Sequence, residues 1–244
     1  MQPHDFWQEI HPPATFERQP AGGHCGFFPA EFEDGQQLRL PIRELSDGEH
    51  ALASLIINQA GFAVEEVLCA SLSEKVRVFE PEVVVGLPTL GLTLASGTAR
   101  KLGHSRYVPL GISRKFWYRE DLSVPMTSIT SPEQVKRLYL DPRMLPVIEN
   151  RRVLLVDDVI SSGRSIAAAL ELLASCGIRP VAIGAAMLQT DAWREKLGAA
   201  CSSWPDRVVG VLRTPRLKRN AAGGLGTRGA VARSASFLSR MAVT

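Results

Sequence analysis

The chain has no run near the ~18 consecutive apolar residues of a membrane span, so no membrane is expected as a partner. Its 244 residues hold only four cysteines, Cys25, Cys69, Cys176 and Cys201, far apart and without a CxxC pair. That spread argues against a disulfide scaffold and suits free thiols in a reducing, cytoplasmic setting. His24-Cys25 is one tempting metal pair, but no second pair stands at zinc spacing. Met1 to Ile10 has acids and no basic apolar leader, so no secretory signal is expected. No GxGxxG follows an apolar run, which weakens a dinucleotide site. Gly86 and Gly91 stand at Walker spacing, yet Leu92 occupies the place where the P-loop lysine is required.

Acid is also missing after Asp206, where eight basic residues stand alone. The net charge of +3 therefore belongs to the end of the chain, and the part before it carries 20 basic against 25 acidic residues. Those late bases are sparse and lack an aromatic stacking platform, so a solvated tail is expected there and nucleic acid is not an expected partner. With 45% hydrophobic and 22% charged residues the rest has ordinary globular composition.

What the sequence does have is concentrated in Val153-Leu154-Leu155-Val156-Asp157-Asp158-Val159-Ile160-Ser161-Ser162-Gly163-Arg164-Ser165. Four aliphatic residues in a row suit an inner strand of a parallel sheet, apolar on both faces. Ile166, Ala169, Leu170 and Leu173 then recur at helical spacing, and Gly177 stands where a left-handed cap is wanted. In an open α/β sheet ligands sit beyond the carboxyl ends of the strands, and the two acids fall at that solvent-facing edge. The N–H groups of Ser161, Ser162, Gly163, Arg164 and Ser165 would open the helix, where its positive end favours a phosphate.

Upstream, residues 1–34 mix aromatics with Pro and Gly. Gln37 to Ile42 alternates as a strand, edge-like because of Pro41. Ser46-Asp47-Gly48-Glu49 resembles a capping box and predicts a helix from there to about Ser73. Val83 to Val85 is a buried strand, Thr93 to Leu102 a helix, and Tyr107 to Leu110 a short strand. Ser113-Arg114-Lys115-Phe116-Trp117-Tyr118-Arg119 is either a base-stacking, phosphate-gripping surface or a hydrophobic plug with solvated flanks. Residues 120–141 are too long for a tight connection and suit a lid, with Arg137 to Leu140 returning as a strand. Pro180 to Leu188 and Val208 to Leu212 complete the strands.

The stretch Val153 to Ser165 resembles the PRPP-binding signature of the type I phosphoribosyltransferases, agreeing in residue type at all positions but Arg164. There most of the enzymes carry Gly or Ala, and Arg also occurs in a regulator of that fold. The resemblance implies an α/β fold: an open parallel sheet of about five strands flanked by helices, with a hood-like N-terminal addition. The expected division is residues 1–45 as extension or hood, 46–213 as the α/β domain and 214–244 as a basic, disordered tail. It also implies transfer of ribose 5-phosphate from PRPP to a nitrogenous base, most like the adenine and purine enzymes in layout, with Mg2+ as cofactor and a homodimer as assembly. Ser161 to Ser165 would then bind the 5′-phosphate. Asp157 and Asp158 would hold the ribose hydroxyls near Mg2+, and Leu87, Pro88, Thr89, Leu90, Gly91, Arg114 and Lys115 would bind pyrophosphate. Glu133 is the candidate for proton handling in the lid. The alternative is a non-catalytic PRPP-sensing regulator that binds nucleic acid.

Overall fold

The computed structural model describes residues 2–126, 136–221 and 223–226. Near the N-terminus β1 (Phe27–Glu31), β2 (Gln37–Glu44) and β3 (His50–Ala53) form an antiparallel meander. A helix α1 (Phe62–Val76) leads to β4 (Val83–Gly86), α2 (Gly91–Lys101) and β5 (Val108–Pro109). A hairpin of β6 (Ser123–Met126) and β7 (Lys136–Tyr139) and the one-turn α3 (Leu145–Ile148) precede β8 (Val153–Ile160). Then come α4 (Arg164–Ser175), β9 (Ala182–Gln189), α5 (Ala192–Ala200), β10 (Val208–Thr214), β11 (Arg216–Arg219) and β12 (Leu225–Gly226).

The central sheet has the order β10-β9-β8-β4-β5, and all four pairings are parallel. Its inner strands are apolar on both faces, so each face needs a cover. Val84, Leu154 and Val156 pack with Val64, Leu68 and Leu72 of α1 and Leu94 and Ala95 of α2. On the opposite face Val83, Val85, Val153 and Leu155 pack with Ile166, Leu172 and Leu173 of α4 and with Trp193 of α5. Burying each large aliphatic side chain contributes about 2 kcal/mol, so the two layers fix the sheet and the edge where its strands end.

A second sheet, β1-β2-β3-β11-β12, is antiparallel and joins residues 27–53 to residues 216–226 in the hood-like addition. The side-chain amide of Gln189, at the end of β9, donates to the Ala53 carbonyl at 2.7 Å and ties hood to central sheet.

Three sequence expectations change here. No helix starts at Ser46: the Asp47 carboxylate accepts from the N–H groups of Glu49 and His50, and Asp47-Gly48 turns β2 into β3. Asp-Gly is a hairpin signal that outweighs the capping-box pattern, and the helix begins only at Phe62. Strand β2 is internal, not an edge. Pro41 is accommodated because pairing with β1 ends at Pro41 and pairing with β3 starts at Ile42. The supposed tail supplies structure as well: β10 runs to Thr214, and Arg216, Leu217 and Lys218 pair with β3, where Leu217 is fully buried. Residues 227–244 of that tail lie outside the described residues.

Candidate active site

From β4 the chain crosses to β5 on one side, whereas β8 lies on the other, so the strand order reverses between β4 and β8. At such a reversal neighbouring loops depart in opposite directions and open a crevice beyond the carboxyl ends. The last bond across this boundary is Leu87 N–H to the Val156 carbonyl, 2.9 Å. One residue later come Asp157 and Asp158.

The acids are not at a free strand end. β8 stays paired with β9 as far as Ile160 with Leu188, so only its β4 side is vacated. Asp157 is 7% exposed and its Oδ1 accepts from the Asp158 N–H at 2.9 Å. Burial pushes the Asp157 carboxyl well above the ordinary carboxylate range, and the charge of Asp158 adds to that. Burial also raises Asp158, against hydrogen bonding from Asp157.

Gly91 opens α2 directly against this pair. A Cβ there would lie 2.8 Å from both Cα and Oδ1 of Asp157, so no side chain fits without moving the backbone. The close approach sets the backbone and carboxyl of Asp157 against the first residue of α2. The turn Leu87 to Gly91 is thus one wall of the crevice, with Leu87 buried and Thr89 exposed. The Pro88–Thr89 peptide is cis.

The other wall is the loop after β8. Ser161 and Ser162 are half-buried, and Gly163 takes φ +75° under Trp193, a conformation that favours glycine. Helix α4 then starts at Arg164 with no side chain capping it, and Arg164 and Ser165 are exposed. Its first-turn N–H groups have no intrahelical partner, a setting that suits an anion.

Arg114 and Lys115 are exposed in the segment after β5. Leu110, whose N–H bonds the Gly86 carbonyl at 2.9 Å, ties the start of that segment to the end of β4. Arg114 faces Glu120 at 3.8 Å, and Glu120 also pairs with Arg137 at 3.1 Å. No hydrogen bond or ion pair joins Arg114 or Lys115 to the acids or to the Leu87 turn among the described residues. Glu133 lies outside the described residues.

The sequence reading missed what fixes that segment. Trp117 Nε1 donates to Asp141 Oδ2 at 3.1 Å, and the Arg143 guanidinium lies 4.4 Å from the Trp117 ring centre. Asp141-Pro142 was the available signal, an N-cap followed by proline at the first helical position. His24, the metal suspect, is instead packed edge-on against Phe28, with its backbone bridged to Leu225.

No group of three or more His, Cys, Asp or Glu among the described residues could hold a metal. Two adjacent carboxylates fit a different case, a hard cation that keeps waters and is shared with a ligand's phosphates.

A family model described as a phosphoribosyl transferase domain matches residues 57–211. The chain belongs to this family. The match runs from the turn before α1 into β10, leaving the first three hood strands and β11–β12 outside it. The Bifunctional protein PyrR of Limosilactobacillus reuteri is 36% identical over 118 residues, 46% of this chain and 61% of that protein. That of Streptomyces coelicolor is 34% identical over 124 residues, 50% and 60% respectively. The chain thus spans about three fifths of the length of these curated relatives. Among solved structures, an adenine phosphoribosyltransferase of Giardia lamblia complexed with 9-deazaadenine superposes with TM-score 0.53 at 21% identity. It covers 77% of this chain and 93% of that one, and establishes the type I fold. No helix among the described residues is long and apolar enough to cross a membrane.

Proposed function

We propose that the protein transfers ribose 5-phosphate from PRPP to a nitrogenous base and releases pyrophosphate. What supports this reading is the edge where the strand order reverses between β4 and β8: the Leu87 to Gly91 turn lies against the buried acid pair, and the uncapped start of α4 follows that pair. A single phosphate would need only one cradle; PRPP carries a phosphate at one end and a pyrophosphate at the other.

In the reaction the bond from the anomeric carbon to pyrophosphate breaks, and the electron pair leaves with pyrophosphate. A bond from the base nitrogen to that carbon forms, and the nitrogen gives up its proton. The transition state is oxocarbenium-like, so the protein's task is to hold both ends still and neutralise the leaving group. The N–H groups of Ser161 to Ser165 hold the 5′-phosphate, and the Asp157 and Asp158 carboxylates face the ribose hydroxyls. The Leu87 to Gly91 turn, with Arg114 and Lys115, takes pyrophosphate. Asp157 and Asp158 are also the groups that would hold Mg2+, which when bound supplies positive charge to the pyrophosphate oxygens.

For the base we propose a purine, following the resemblance in layout, with a long connection before β8, to the adenine and purine enzymes. The test is incubation with PRPP, Mg2+ and a panel of purines, pyrimidines and orotate. Pyrophosphate release with a purine is expected; release with another base alone would correct the base, and no release with any would end the transferase reading. Arg164, exposed in the phosphate loop without an ion-pair partner among the described residues, favours a second reading, a PRPP sensor that binds nucleic acid. PRPP-dependent nucleic-acid affinity without turnover would select it.

A further inference from the structure

We propose that Asp141, acting through Trp117, is a positioning residue that fixes the turn presenting Arg114 and Lys115 to pyrophosphate. The inference rests on the transferase reading above. Between Gly111 and Arg119 the chain leaves the sheet, and little of it is buried. Phe116 is 96% exposed, and the Arg114–Glu120 pair joins two exposed side chains at 3.8 Å, a contact worth almost nothing in water. Burial of the tip therefore cannot hold the turn in shape.

The anchors lie on either side of it. Tyr118 N–H closes the turn on the Lys115 carbonyl at 3.0 Å, and its ring leans on Tyr139, 5.7 Å between centres. Gly111 and Tyr139 exchange both backbone hydrogen bonds, which ties the start of the segment to β7. Trp117 is held from two directions. Its indole N–H donates to Asp141 Oδ2, and the Arg143 guanidinium lies over its ring. Asp141 in turn accepts from the backbone N–H of Arg143 at 3.0 Å and from its Nη2 at 2.6 Å. The carboxylate has little solvent around it, so each bond counts for more than it would at the surface. A turn so anchored keeps two cations on the carboxyl edge of the sheet before the ligand arrives, and the cost of ordering them is met during folding instead of binding.

The test uses the full chain with Trp117→Phe, which keeps a ring for Arg143 and removes only the indole N–H. Calorimetric titrations with inorganic pyrophosphate, PRPP and ribose 5-phosphate are compared with the parent. Pyrophosphate and PRPP are expected to bind about tenfold more weakly, the effect of one hydrogen bond to a charged group. Ribose 5-phosphate, which does not need the turn, should bind as in the parent. Asp141→Asn keeps an acceptor for Trp117 but gives up the ion pair with Arg143, and is expected to show the same contrast more weakly. Unchanged pyrophosphate affinity in both variants overturns the proposal, as does equal weakening of all three ligands, which would mark a structural role only. If the parent itself binds neither PRPP nor pyrophosphate, the transferase reading fails with it, and the titrations of the parent alone reveal that.

Discussion

The two anion cradles proposed for the site differ in how they are built. After β8 the cradle is backbone: a left-handed Gly163 and the uncapped first turn of α4 present N–H groups whose direction is set by the helix itself. On the β4 side a backbone turn supplies only part of the charge, and the cations Arg114 and Lys115 stand on a separate segment tied to Asp141 and Tyr139. The first wall depends on five consecutive residues. The second depends on contacts between positions 24 residues apart, Trp117 and Asp141. The first depends on local chemistry alone, whereas the second depends on the packing of the segment after β5 against β7 and Asp141.

Removing the acid pair erases the floor common to both walls and carries the largest expected effect. Asp157→Asn with Asp158→Asn should lower pyrophosphate release by at least about 100-fold, the scale of losing a preorganised electrostatic group. Thermal unfolding should show no loss of stability. Both carboxyls are raised by burial, and an amide of the same shape has no desolvated charge. A fall in Tm with lost folding would mean that the acids are structural.

The glycines separate the walls. Gly91→Ala puts a methyl 2.8 Å from the Asp157 backbone, where no flexible atom can give way, and should cost about 1–3 kcal/mol. Pyrophosphate and PRPP binding should be lost with it. Gly163→Ala forces alanine to φ +75° and should cost on the order of 1 kcal/mol. It should weaken ribose 5-phosphate and PRPP together, leaving pyrophosphate bound. Urea midpoints and the same three titrations check both. Identical ligand profiles for the two variants would show that the walls are not independent.

That division also explains what could be read from the chain. The run Val153 to Ser165 was legible because strand, acids, loop and helix start are contiguous, and each obeys a local rule. The central sheet followed from the same apolar runs. The hood did not. Its sheet joins residues 27–53 to Arg216–Gly226, and nothing in the Arg216 to Arg219 sequence, with three cations and one leucine, announces a strand. It pairs because β3 has an open edge there, which is a tertiary fact. The burial of Asp157 was illegible for a like reason. The sequence sets the acids after four aliphatic residues, but only the pairing of β8 with β9 as far as Ile160, together with Gly91, encloses them.

The smallest expected effect concerns the anchor of the split wall. Hydrogen bonds from Arg143, helped by the indole of Trp117, hold the Asp141 carboxyl at about 2, although burial opposes this. An unfolded aspartate titrates at about 3.9. The folded form therefore prefers the ionised acid, and its contribution is complete above the unfolded value and disappears as pH falls through about 2. A neutral Asn at this position has no such dependence. The stability difference between parent and Asp141→Asn should thus be constant from pH 7 to about pH 5, shrink between pH 4 and 2, and show in urea midpoints taken across that range. The backbone cradle around Gly163 has no titrating member, so ribose 5-phosphate binding by the two proteins should stay equal from pH 7 to about pH 5. A stability gap that widens in acid would mean that Asp141 is not held ionised by Arg143, and the anchor would then be the Trp117 ring stacked beneath the guanidinium and not the carboxylate.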